Sequence, residues 1–151
     1  MKIGLVGLGR MGAAMSYRLR EQGFAVIAWD QNADANEAAA RTGLPIAADP
    51  RAVAVAADIV ISIITEDYGV RRIFTASNGF LTGNVTGKLF IEMSTLQPMT
   101  GRELAPLVEA KGARLIDSPV LGTIPQVQDG KLFALVGGRA EDLERARAVL
   151  E

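Results

Sequence analysis

The stretch Lys2-Ile3-Gly4-Leu5-Val6-Gly7-Leu8-Gly9-Arg10-Met11-Gly12 decides the fold. Ile3, Leu5 and Val6 form a short apolar run of the buried-strand kind, which passes directly into glycines spaced G-x-G-x-x-G. Arg10 to Gln22 then reads as a helix that Gly23 ends. A second apolar run, Phe24 to Trp29, closes on Asp30, eighteen positions past Gly12. Strand, turn, helix, strand and acid in this order are what a dinucleotide site requires.

Each glycine has its own physical reason. Gly7 allows the sharp turn from strand to helix, and Gly9 leaves no side chain between the backbone and a pyrophosphate. Gly12, one turn into the helix, lets that helix lie close on the sheet. The N–H groups of Arg10 and Met11 lack intrahelical partners and point at any anion above the helix end, beside Leu8 in the same turn. The alternative is a tight βα turn that holds no ligand.

The 151 residues fit one domain with a sizeable core, and 49% apolar content is ordinary for a globular chain. A net charge of −1 with interspersed signs, and Arg71-Arg72 as the only adjacent basic pair, argue against nucleic acid. The N-terminal apolar run is broken at Arg10, too short for a membrane span or a signal peptide, so a cytoplasmic protein is expected. There is no histidine and no cysteine, which excludes a His acid/base and thiohemiacetal chemistry from this chain, and no metal site is expected.

Apolar runs and helical stretches alternate to the end, predicting parallel βα units. Helices are expected over Ala33 to Arg41, Pro50 to Ala56, Glu66 to Phe74, Pro98 to Lys111 and Ala140 to Leu150, with Pro106 a liability inside the fourth. Strands are expected at Asp58 to Ile64, Leu89 to Met93, Arg114 to Ile116 and Leu132 to Val136. The first of these is apolar apart from Ser62 and reads as buried on both faces. Ser77 to Gly87 reads as loop. The predicted fold is α/β, a Rossmann-type doubly wound, mainly parallel sheet with helices on both faces, residues 1–151 forming one dinucleotide-binding domain.

Asp30 ends the second strand, where an acid accepts hydrogen bonds from adenosine ribose hydroxyls and repels a 2′-phosphate. Its alternative role is a turn or cap ahead of Asn32 and Asp34. From Glu21 through Ala40 there is no Lys or Arg to neutralise a 2′-phosphate, so NAD is favoured over NADP.

Beyond these local readings, the chain resembles the amino-terminal domain of the β-hydroxyacid dehydrogenases, which include 3-hydroxyisobutyrate dehydrogenase and tartronate semialdehyde reductase, with imine reductases as relatives. Gly7-Leu8-Gly9-Arg10-Met11-Gly12-Ala13-Ala14-Met15 is similar to the family's GLGxMGxxM, and Asp58 to Ile64 to its fourth strand. Glu92-Met93-Ser94-Thr95 with Pro98 resembles D-M-S-T-x-x-P. Asp117-Ser118-Pro119-Val120, then Gly122 and Gly130-Lys131-Leu132, resembles D-A-P-V-S-G-G followed by G-x-L.

The resemblance implies that Ile64 and Thr65 sit beside the cofactor, that Thr95 lies near the nicotinamide ribose, and that Gly122 and Thr123 belong to a substrate loop. Thr65 and Thr95 could equally be strand-end or turn hydroxyls, and Asp117, Pro119 and Gly122 could simply shape a turn. Where the family places a serine for the substrate carboxylate, this chain has Leu121, and the second glycine becomes Thr123. The family's catalytic lysine lies on a long helix after this domain, which opens a helical domain beyond the chain. None of Lys2, Lys88, Lys111 or Lys131 matches it. The sequence reads as stopping within its last helix, a cut rather than a natural end.

These implications give the cofactor-binding part of an NAD-dependent oxidoreductase acting on a small β-hydroxyacid or its oxo form, with no catalytic residue in the chain. The helical part would carry homo-oligomer contacts, leaving this piece monomeric. The alternatives are a free-standing nucleotide-binding or regulatory module, and a domain of an imine reductase.

Overall fold

The first strand, β1 (Lys2–Val6), alternates its side chains between two cores. Ile3 and Leu5 point to one face of the sheet, Gly4 and Val6 to the other. The computed structural model describes all residues, Met1–Glu151. After α1 (Arg10–Glu21) and β2 (Ala25–Trp29) come α2 (Ala33–Arg41), α3 (Pro50–Ala56), β3 (Ile59–Ser62), α4 (Asp67–Thr75), β4 (Leu89–Glu92), α5 (Pro98–Ala110) and β5 (Arg114–Asp117). A short β6 (Val120–Leu121), α6 (Ile124–Gln128), β7 (Phe133–Ala134) and α7 (Ala140–Leu150) complete the chain.

Five strands pair in parallel in the order β2-β1-β3-β4-β5. Ile46 adds an isolated parallel bridge to Ala28 at the β2 edge. The connections leave β1 toward β2 on one side and toward β3 on the other, so a crevice opens at the carboxyl ends of β1 and β3. All of Ile59–Ser62 and all of Leu89–Glu92 are buried, as central strands covered on both faces must be.

Met15 and Leu19 of α1, Val127 of α6 and Ala146 of α7 cover one face, against Ile3, Leu5, Ile61, Ile91 and Ile116. Val53 of α3, Val70 and Phe74 of α4, and Leu104 and Val108 of α5 cover the other. Here Phe74, Phe80 and Phe90 pack with ring centroids 4.9 to 5.3 Å apart. Helix starts follow local chemistry. The Asp49 carboxylate accepts the Ala52 N–H at 2.7 Å ahead of Pro50, and Asn32 caps α2 through the Asp34 N–H at 2.9 Å. Pro106 does not break α5, because it lies on the exposed face, where the carbonyl left without its N–H partner can reach water.

The parallel βα expectation fails at the carboxyl end. The strand expected at Leu132 to Val136 is only Phe133–Ala134, and it pairs antiparallel with Val120–Leu121 outside the main sheet. The cause is a reversal at β5: Asp117 and Gly137 exchange both backbone hydrogen bonds, at 3.0 and 2.7 Å, so the chain returns antiparallel. The 77–87 stretch, expected as loop, contains a 3-10 turn, Phe80–Thr82, which buries Phe80 and Leu81.

Candidate cofactor site

The glycine turn shows three different constraints. Gly7 sits at φ +102°, and a Cβ there would lie 2.0 Å from the Ile63 carbonyl oxygen. A Cβ on Gly12 would lie 1.8 Å from the Gly7 carbonyl oxygen, so strand and helix meet backbone to backbone. Gly9 differs, since a Cβ there would meet nothing within 4 Å. Its missing side chain faces the open crevice, the space a pyrophosphate needs at the start of α1. A dinucleotide fits this cradle.

The crevice has a volume of about 490 Å³ and runs from Gly7 and Gly9 past Trp29 and Asp30 to Ile64 and Thr65. Each oxygen of the Asp30 carboxylate accepts one backbone N–H, from Leu8 at 2.6 Å and from Asn32 at 2.8 Å. Asn36 grips the Asp30 backbone on both sides, at 2.9 and 2.7 Å. The turn role of Asp30 leaves acceptor capacity for a ligand, because a carboxylate has about four acceptor positions and these bonds use two of them.

The other sequence-predicted residues divide into two groups. Leu8 is buried in the core, and its N–H is taken by Asp30, so it acts on the site through that acid. Arg10 is exposed at the first position of α1, while Met11 packs against the core and offers its backbone. Ile64 and Thr65 line the crevice. Thr95 is exposed on the loop between β4 and α5 and does not line it. That loop is tied down at both ends: Ser94 Oγ accepts the Ile64 N–H at 2.8 Å, and Asp67 accepts the Gln97 N–H at 3.1 Å and the Thr100 hydroxyl. The Thr100 bond, with Gln97 and Arg71, holds the Asp67 carboxyl below its usual range, against some desolvation.

Gly122 and Thr123 stand apart from the crevice. Gly122 adopts φ +144°, and Thr123 caps α6, its N–H donating to Gln126 Oε1 at 2.7 Å. Both lie beside the small β6–β7 ribbon, whose Leu121 and Phe133 are exposed cross-strand neighbours. The lysines lie elsewhere. Lys88 donates to the Val55 and Ala57 carbonyls at the amino end of the sheet, Lys2 starts β1, Lys111 follows α5, and Lys131 pairs with Asp129 in solvent.

Two features escaped the sequence reading. Arg72 of α4 lines the same crevice as Asp30 and is its only cationic side chain, packing over Tyr68 at 5.8 Å. A scan of residues adjacent to the acid could not find it, because only the tertiary fold brings α4 across. The second is Glu92, 3% exposed, with Ser62 Oγ donating to one carboxylate oxygen and the Ser94 N–H to the other at 2.9 Å. Burial pushes its carboxyl up to about 7, against the opposing pull of Ser62 and Ser94, with Asp117 adding to the rise. A smaller apolar hollow of about 260 Å³ lies between α1, α6 and the end of α7, away from the glycine turn.

Comparison with known proteins agrees with this geometry. A family model described as the NAD binding domain of 6-phosphogluconate dehydrogenase matches residues 2–151. The chain is 35% identical over 148 residues to 3-sulfolactaldehyde reductase of Escherichia coli (strain K12), covering 98% of this chain and 50% of that protein. It is 32% identical over 149 residues to mitochondrial 3-hydroxyisobutyrate dehydrogenase of Mus musculus, covering 99% and 44%. The structure of Mycobacterium tuberculosis 3-hydroxyisobutyrate dehydrogenase with L-serine matches with TM-score 0.91 at 34% identity, over 99% of this chain and 50% of that one. The chain spans about half the length of the relatives it matches.

Proposed function

Because the chain belongs to the family of NAD-binding domains typified by that of 6-phosphogluconate dehydrogenase, we propose that it is the cofactor-binding half of an NAD-dependent dehydrogenase. The reaction is the interconversion of a small β-hydroxyacid and its oxo form. The relatives named for 3-hydroxyisobutyrate and 3-sulfolactaldehyde support a small oxygenated substrate. The reading includes a cytoplasmic setting, which cell fractionation tests. No helix is long and apolar enough to cross a membrane.

The observation that carries the reading is the pairing of Gly9, open to the crevice, with Asp30, whose carboxylate is fixed by two backbone N–H groups. In this reading the first-turn N–H groups of α1 hold the pyrophosphate, and Asp30 accepts the adenosine ribose hydroxyls. Ile64 and Thr65 form the opposite wall, and Thr95 reaches the nicotinamide side once cofactor and the helical half are in place. The bound cofactor supplies hydride transfer at its nicotinamide ring. In this reading the proton is handled by the lysine that the family resemblance places in the helical half; no lysine of this chain lines the crevice.

Gly122 and Thr123 keep a place in the substrate wall. Thr123 offers no backbone N–H, which Gln126 occupies, so carboxylate recognition falls to the remaining loop or to the helical half. The parent protein is a homo-oligomer through that half.

Calorimetric titration with NADH and NADPH tests the reading. NADH should bind more tightly, and Asp30→Ala should weaken it, with a melting curve to confirm the fold. Tighter NADPH binding overturns the cofactor assignment.

A further inference from the structure

The Glu92 carboxyl, at the end of β4, lies between the ends of β3 and β5. It faces Ser62 on β3 and Asp117 on β5 in register, and it is buried where the crevice walls begin. Its bonds form a line toward the crevice. Ser62 Oγ donates to one carboxylate oxygen, the Ser94 N–H donates to the other, and Ser94 Oγ in turn accepts the Ile64 N–H. Ile63, Ile64 and Thr65 are the crevice wall opposite Asp30. The Ile63 carbonyl also fits against Gly7 with no room for a Cβ, so a shift of this wall reaches the glycine turn.

We propose that Glu92 is a positioning residue for the cofactor: through Ser94 it sets the Ile64 amide, and with it the wall that the dinucleotide lies against. This deepens the reading above and rests on it. Charge strengthens such bonds roughly twofold, so the ionised carboxylate holds Ser94 more firmly than the neutral acid does. The surroundings make the device responsive near neutrality, since burial has moved the carboxyl up to about 7.

The other groups around it leave little ambiguity. Asp117 on β5 is the facing ionisable group, itself raised by desolvation. On the same face, α4 and α5 carry Asp67, bonded to Thr100, and Arg71 with Glu103, ion-paired at 2.8 Å. Arg72 faces the crevice, and Arg102 is exposed. The chain has no histidine and no cysteine, and the Met1 amine lies ahead of β1 at the opposite, amino end of the sheet.

The experiment follows the amide signals of the nitrogen-15-labelled chain without cofactor from pH 5.5 to 8.5, alongside NADH titrations over the same range. In the wild type the Ile64 amide should shift with a midpoint near 7, and NADH affinity should rise about threefold or more across that midpoint. Glu92→Gln, which keeps an acceptor for Ser94 but cannot ionise, should flatten both curves. Ser94→Ala should abolish the Ile64 inflection.

An Ile64 inflection that survives Glu92→Gln overturns the proposal. One that survives Ser94→Ala also does so, because the charge would then act through space. Affinity that falls as pH rises overturns it as well, since repulsion between carboxylate and cofactor would outweigh positioning. If the wild type binds NADH at no pH, the functional reading falls, and the apo Ile64 titration alone decides the relay.

Discussion

Replacing Glu92 by Gln should change the pH dependence of folding in a calculable way. In the native chain this carboxyl is 3% exposed and titrates at about 7, against an ordinary value of 4.5. Between those values the folded state keeps a proton that the unfolded state has released. Stability therefore falls as pH rises through the window, and the loss is complete above the native value. At 1.36 kcal/mol per pH unit, ionising this buried group costs about 3 kcal/mol by pH 8. The glutamine variant has nothing to ionise there. The difference between the two proteins therefore reports Glu92 together with its coupling to the facing Asp117 carboxyl. Urea unfolding at pH 4, 5.5, 7 and 8 should show the stability gap moving in favour of glutamine by about 3 kcal/mol from the lowest to the highest pH. The absolute gap at pH 4 includes the cost of the extra glutamine N–H near Ser62, and only its change with pH is diagnostic. A gap that stays constant within about 0.5 kcal/mol refutes the reasoning, because Glu92 would then titrate like an exposed carboxylate.

Other perturbations separate fold from site. Gly9→Ala should leave stability within about 0.5 kcal/mol while weakening NADH about tenfold or more, read by chemical unfolding and calorimetry. Gly12→Ala, whose Cβ would lie 1.8 Å from a backbone oxygen, should cost about 3 kcal/mol or more in the same unfolding assay. Arg72→Ala should weaken NADPH more than NADH, because the crevice's only cation is then gone and Asp30 remains; equal loss for both would place Arg72 away from the 2′-phosphate. Phe90→Ala, in the ring cluster with Phe74 and Phe80, should cost about 3–5 kcal/mol in thermal or urea unfolding.

What the sequence displays depends on how local the physics is. The turn from β1 into α1 is legible because its glycine spacing falls within twelve residues, although the atom that crowds Gly7 is the distant Ile63 carbonyl. Gly7 and Gly12 are needed where backbones touch, and Asp30 lies one βαβ unit away. Asp49-Pro50 and the break after Gln22 are likewise local, and those helix bounds hold within a residue. The Leu132 to Val136 strand is misjudged because apolar alternation does not encode direction; the reversal is made by Asp117 pairing with Gly137, twenty residues on. Pro106 looks like a break only if its side of the helix is unknown. Arg72 and Glu92 are invisible to a linear reading for one reason: each acts across the sheet on residues thirty or more positions away.

The two carboxylates at the strand ends illustrate how one chemical group takes two roles. Asp30 and Glu92 each accept a backbone N–H from a strand-end loop, from Leu8 beside the crevice and from Ser94 behind its Ile64 wall. Asp30 stands at the edge of the sheet and lines the crevice with acceptor capacity to spare, so its charge is available to a ligand. Glu92 stands three strands along, on β4, with both oxygens engaged inside the protein, so its charge is available only to the fold. A buried carboxyl that merely filled space would be outperformed by an apolar side chain of similar size. Its bonds to Ser62 and Ser94 give it a use that an apolar residue could not supply: the Ile63 N–H still pairs with the Val6 carbonyl of β1, but the Ile64 N–H has left the ladder and is held by Ser94 instead.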